Sequence, residues 1–215
     1  MPVADLSHTL EDGMVTYPGL PGPVITDHLS FDDSQGHYAS GIEFHIGRID
    51  LVANTGTYLD TPAHRWRGRQ DLSGIPIEAV AGLPGIVIHD EGPELSFATI
   101  GNIEVEGAAL LFHTGWDRHW KSDTYGSTDH PFVGESLARA LVEARPAIVG
   151  IDSVNIDSTL GGDRPAHSLL LDAGILIVEH LTNLADLPDD GFEFSAVPVK
   201  VRGLGTFPVR AFARW

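Results

Sequence analysis

The rhythm of apolar and polar positions changes along the chain, and each change predicts a different element. Residues 43–54 (EFHIGRIDLVAN) alternate in the manner of a half-buried strand, after a loop at residues 18–23 (PGLPGP). Helical periodicity is almost absent from this first third. Two short apolar runs follow, residues 85–89 (GIVIH) and 108–113 (AALLFH), each bounded by turn residues, as buried strands are. The rhythm then becomes helical over residues 135–145, with Leu137, Ala138, Leu141 and Val142 on one face. Behind Pro146, the run AIVGID ending at Asp152 reads as a buried strand. Residues 165–173 predict a second helix, with Pro165 in its first turn and Gly174 at its end, before a strand at 175–179 (ILIVE). Strand, helix, strand implies a parallel pair joined by a crossover. Residues 193–201 and 206–212 again read as strands. The pattern predicts a mixed α/β domain with a substantial antiparallel part. Without an internal repeat or a concentrated linker, residues 1–215 count as one domain.

Composition narrows the function. Thirty acidic against thirteen basic residues give a formal charge of −17, a field that repels a phosphate backbone, so nucleic acid is not an expected partner. No apolar run reaches the ~20 residues that span a bilayer. The opening MPVADLSHTL lacks the basic and apolar regions of a secretory signal, which predicts a cytoplasmic protein without membrane attachment. With no cysteine, thiol nucleophiles and cysteine-based metal knuckles are excluded. Eleven histidines point instead to imidazole as metal ligand or proton carrier.

Carboxylates at the ends of buried strands sit where open α/β sheets bind ligands, and Asp152 and Glu179 occupy such ends. Glu179 directly follows four apolar residues, so it either reaches water or meets a metal, a cation or several donors. The densest polar cluster is NTGTYLDTPAH, residues 54–64. Pro62 pushes Thr61 out of the α region, so this segment is expected to be an irregular loop, and Asp60 and His64 do not share a helix face. His45 is expected to be a strand residue and not a ligand. Trp116 is expected to pack, with the roles of His113 and His119 left open. Asp157 is a turn residue or the acceptor that orients a catalytic histidine.

The 54–64 segment resembles the signature HxGTHxDxPxH of the cyclase-like metal-dependent hydrolases, the family that includes bacterial kynurenine formamidase and isatin hydrolase. The resemblance continues through DLSHTLEDGMVTYPG, LLFHTGWDRHW, GIDSVNID, RPAHSLLL and ILIVEHLTNL, in order along nearly the whole chain. It implies the family's swivelling β/β/α fold, and Asp60, His167 and Glu179 as metal ligands. It also implies His64 as general acid and base and Tyr17 as a wall of the substrate pocket. Two signature histidines are replaced, by Asn54 and Tyr58. An amide oxygen is a weak ligand and a phenol must lose its proton to bind well, so the surviving set suits one divalent metal, zinc or manganese, and not two. The implied activity is opening of a C–N bond in a small amide, formamide or lactam, in a homodimer or homotetramer. A metal-free cyclisation, dehydration or isomerisation using Tyr58 and His64 is the alternative enzyme, with Asn54 left to contact substrate. A non-catalytic relative that only binds a small ligand is the third. Motifs of serine hydrolases, zincins, P-loop proteins and dinucleotide-binding proteins are missing from the sequence.

Overall fold

A computed structural model describes residues 1–100 and 104–215. Its strands are β1 (Val3–Asp5), β2 (Val24–Leu29), β3 (Ile46–Asp50), β4 (Tyr58–Asp60), β5 (Leu83–His89), β6 (Glu94–Leu95), β7 (Ala109–His113), β8 (Phe132–Val133), β9 (Ile148–Ile151), β10 (Leu176–Glu179), β11 (Phe192–Ser195), β12 (Thr206–Pro208) and β13 (Phe212–Arg214). The helices are α1 (Phe31–Ser34), α2 (Pro62–Arg65), α3 (Phe97–Ile100), α4 (Glu135–Ala144) and α5 (Pro165–Asp172). Nine strands form one curled mixed sheet in the order β1-β13-β11-β5-β7-β9-β10-β4-β12.

The centre of that sheet is parallel, β5 to β7 to β9 to β10, and the flanks are antiparallel. Parallel strands are covered on both faces, which is why β7, β9 and β10 read as unbroken apolar runs. Leu110, Phe112, Val149, Ile151 and Ile177 pack with Leu137 and Leu141 of α4 and Leu170 and Leu171 of α5. On the opposite face, Ala109, Leu111, Leu176 and Val178 pack with Leu6, Leu59, Phe192 and Phe194. Both crossovers, β7–α4–β9 and β9–α5–β10, deliver the next strand parallel to the last, as the sequence predicts. Pro165 starts α5, and Gly174, at φ +82°, lets the chain turn back into β10.

Four expectations are corrected. The 43–54 strand shortens to β3, and it is exposed throughout instead of half-buried, because its sole partner is β2 in a two-stranded ribbon outside the main sheet. Residues 206–212 form two strands: β12 pairs with β4 and β13 pairs with β1 and β11, at different places in the sheet. The 54–64 segment is more regular than a loop. Tyr58–Asp60 is a buried strand, and Pro62, at the first turn of α2, starts a helix once Thr61 has taken its extended conformation (φ −108°, ψ 167°). The 193–201 strand ends at Ser195.

Candidate functional site

Register places the polar residues. β4 runs antiparallel to β10 with Tyr58 opposite Glu179 and Asp60 opposite Ile177, while β12 brings Thr206 opposite Asp60. Side chains alternate across a strand, so Tyr58 and Asp60 share one face and Leu59 joins the core on the other. Thr61 donates its backbone N–H to the carbonyl of Gly205 at 2.8 Å, and the α2 backbone at His64 lies so close to Gly205 that a Cβ there would collide with it. Glycine at 205 is what lets the two segments touch.

The result is a cavity of about 200 Å³ lined by Tyr17, Asn54, Tyr58, His64, His167 and Glu179, together with Leu20, Arg65, Asn155 and Arg164. Of the residues that the family resemblance assigns to the site, Tyr17, Asn54, Tyr58, His64, His167 and Glu179 line this cavity and Asp60 adjoins it. The buried Asp60 carboxylate lies 3.7 Å from His167 Nε2 and 3.6 Å from His64 Nδ1. Leu20, in the Pro/Gly-rich stretch, closes the cavity of its own chain. His45 is elsewhere, paired with Asp27 at 2.7 Å on the ribbon. His113 meets His89 at 2.7 Å, and Trp116 packs with its indole N–H donating to the Tyr125 carbonyl at 3.0 Å. Asp152 accepts from the backbone N–H groups of Thr114 and Gly115 and from the Thr114 hydroxyl, and so caps a turn.

Hydrogen bonds orient both histidines. His167 Nδ1 lies 2.6 Å from Asp157 Oδ2, the acceptor role anticipated for Asp157, and its Nε2 lies 3.7 Å from Glu179 Oε1. Thr206 donates its one hydroxyl hydrogen to Asp60 Oδ1, so toward His64 Nδ1, 2.7 Å away, it can only accept. His64 therefore carries its proton on Nδ1 and keeps Nε2 as the basic nitrogen. Thr206 and Arg65 carry no spacing signal that sequence reading could have used, whereas Asn155 and Arg164 lie within the GIDSVNID and RPAHSLLL blocks and were passed over.

The electrostatics follow from burial among carboxylates. Glu179 does not reach water: Tyr58 donates its hydroxyl to one oxygen and the Ile156 N–H donates to the other at 2.5 Å. Burial raises the Glu179 pKa, and the charge of His167 opposes that rise. Burial lowers the His167 pKa more than any single partner raises it, yet the hydrogen bond to Asp157 and the nearby carboxylates of Asp60 and Glu179 together bring it up to about 10. Tyr58 is pushed well above the ordinary phenol range by burial and by the charges of Glu179 and Asp60, so it is a neutral donor and not a phenolate ligand.

The donor set fits one cation. Asp60, His64 and His167 each offer an atom within 4.8 Å of the others; with His64 protonated on Nδ1, Asp60 and His167 are the members of that group free to hold an ion, and Glu179 Oε1 lies 3.7 Å from His167 Nε2 as a third oxygen. Asp60 Oδ2 is buried without a hydrogen-bond partner, an acceptor whose desolvation a cation would offset. With Asn54 and Tyr58 supplying no strong donor, the described residues offer a second cation no comparable set.

Comparisons with known proteins agree with this fold. The family model described as "Putative cyclase" matches residues 4–158. The kynurenine formamidase of Salinibacter ruber is 29% identical over 170 residues, 79% of this chain and 79% of that one. Isatin hydrolase A from Labrenzia aggregata superposes with a TM-score of 0.83 at 25% identity, covering 99% of this chain and 93% of that chain. A solved potential metal-dependent hydrolase with cyclase activity gives a TM-score of 0.80 at 26% identity, covering 99% and 96%.

Proposed function

The chain belongs to the cyclase family, and on that premise we propose that it is a one-metal hydrolase opening the C–N bond of a small amide, formamide or lactam. The observation that carries this is the unpartnered, buried Asp60 Oδ2 beside His167 Nε2. Asp60 and His167 would hold a zinc or manganese ion with Glu179 as third ligand, and Asp157 fixes the His167 ring through Nδ1. Bound there, the ion supplies Lewis acidity to a carbonyl and to water. His64, at the mouth with its side chain 32% exposed, takes a proton from the attacking water on Nε2. It returns that proton to the departing nitrogen, so amide and water become acid and amine. Thr206 positions His64, and Tyr17 and Asn54 bound the substrate.

A second reading is favoured by the Tyr58 hydroxyl bonded to Glu179: Tyr58 and His64 act as a metal-free acid–base pair. Elemental mass spectrometry of protein purified without chelator or His-tag separates the two, with Asp60→Ala/His167→Ala alongside. The metal reading expects about one ion per chain in the native protein, none in the variant, formanilide hydrolysis sensitive to chelator, and turnover retained by Tyr58→Phe. No ion under any loading condition, with Tyr58→Phe dead and chelators inert, would establish the second.

We also infer a homodimer or homotetramer of this one-domain chain in the cytoplasm; among the described residues no helix is long and apolar enough to cross a membrane. The β2–β3 ribbon is marginal alone and leaves Val24, Ile25, Ile46 and Ile49 exposed, beside exposed Phe31 and Phe44. A second copy offers the same surface, so the apolar ribbons can cover one another about a two-fold axis. Light scattering should give a multiple of 23.1 kDa that falls toward it when Ile25 and Ile49 become lysine.

A further inference from the structure

We propose that the outer end of the cavity is a carboxylate-binding site built from Arg65 and Arg164, so that the substrate is an amide bearing an anionic group remote from the scissile bond. The proposal rests on the amide-hydrolase reading of this cavity. Of the eleven arginines, Arg69, Arg118, Arg139, Arg145, Arg210 and Arg214 each pair with a carboxylate at 2.5 to 3.3 Å, while Arg48, Arg67 and Arg202 show no such pair among the described residues and are exposed outside the cavity. None of those six pairs lines the cavity. Arg65 and Arg164 line the cavity, and among the described residues neither has a carboxylate within 4.0 Å.

Neutral groups hold both in place. Arg65 donates from Nε to the Ser168 hydroxyl at 3.0 Å and lies 4.2 Å above the Trp66 ring, which leaves both of its terminal amino groups without a partner among the described residues. Arg164 spends Nη1 on the carbonyls of Ser158, Gly161 and Asp163 at 3.0, 2.8 and 2.8 Å, leaving Nη2 and Nε. Asp163 is the immediate neighbour, yet it offers Arg164 its backbone oxygen and not its carboxylate. Neutral acceptors and ring stacking restrict the side chains without cancelling their charge, so the N–H forks are ordered before a ligand arrives.

His167, Tyr58 and Glu179 are buried at the inner end, whereas Arg65 is exposed and Arg164 half-buried, and both also border the adjoining surface groove with Glu135 and Arg139. A substrate whose carbonyl enters toward Asp60 and His167 presents its far side to the two guanidinium groups. A planar carboxylate matches such forks by paired hydrogen bonds. Because the chain's overall field repels anions, this cationic rim is also the local exception that admits one.

The test compares kcat/KM for 3-formamidobenzoate with that for formanilide, its neutral parent. The native protein should favour the carboxylate by about tenfold or more, and added salt should shrink that ratio. Arg65→Gln and Arg164→Gln should each cut the ratio about tenfold, with the lysine variants, which keep charge but lose the fork, in between. A native ratio near one, or a ratio untouched by both substitutions, overturns the site. If neither formamide is turned over, the amidase reading fails separately, and benzoate binding measured by calorimetry decides this proposal. Binding lost in Arg65→Gln/Arg164→Gln upholds it, and binding absent from the native protein or equal in the variant refutes it.

Discussion

Two nests of buried imidazole lie on either side of Tyr58. In one, His167 sits among Asp157, Asp60 and Glu179 and its pKa rises to about 10. In the other, beyond the Tyr58 ring at 5.1 Å, His180 donates to or accepts from the Tyr125 hydroxyl, while His8 stacks on Trp120 at 3.7 Å. There burial dominates, and the pKa falls to about 3 for His180 and about 4 for His8. Burial disfavours the imidazolium in both nests, so the carboxylates make the difference. In this chain a buried histidine is a site for a cation or proton only where acids are brought to it.

The largest effect that sharpens this contrast is expected from His64→Asn, which removes the imidazole at the cavity mouth. Its kcat on formanilide should drop about 10²- to 10⁴-fold with metal content and folding kept, and loss of either would refute its assigned role. Asp157→Asn should act more mildly. It weakens the acceptor behind His167 and should cost about 10- to 100-fold in metal affinity, read by competition with a chelator, and an unchanged affinity would make Asp157 a mere cap for α5. The smallest effect belongs to the aromatic nest. Between pH 6.5 and about 4 the unfolded chain binds a proton that folded His8 refuses, so stability is lost as pH falls through that window, by at most about 1.4 kcal/mol per pH unit from this residue. His8→Phe keeps a ring against Trp120 and removes that proton. Denaturant midpoints should therefore favour the variant at pH 5 relative to pH 7.5, and an equal difference at both would show that His8 titrates normally.

Legibility differed between the same two regions. Asp60, His64, Asp157, His167 and Glu179 could be singled out because they lie in recurring motifs or end apolar runs. The central strands could be read because burial on both faces leaves continuous apolar sequence. Thr206, by contrast, reaches Asp60 across 146 positions, and one hydroxyl in a strand has no pattern to betray it. The aromatic nest escaped notice for a similar reason, since His8, Trp120, Tyr125 and His180 come from separated turns and strand ends. The ribbon was misjudged because alternation reports two unlike faces, not what covers them.

The pairing of Tyr58 with Glu179 and of Asp60 with Thr206 also bears on how such a site can evolve. Inserting or deleting one residue between Thr57 and Thr61 would turn the whole row over, sending Leu59 into the cavity and both polar side chains into the core. Changing the residue at 54 or 58 leaves the row where it is. The frame thus tolerates spelling changes but not changes of length, and a lineage can exchange histidine for asparagine and tyrosine, and so revise its chemistry, without ever passing through an unfolded ancestor.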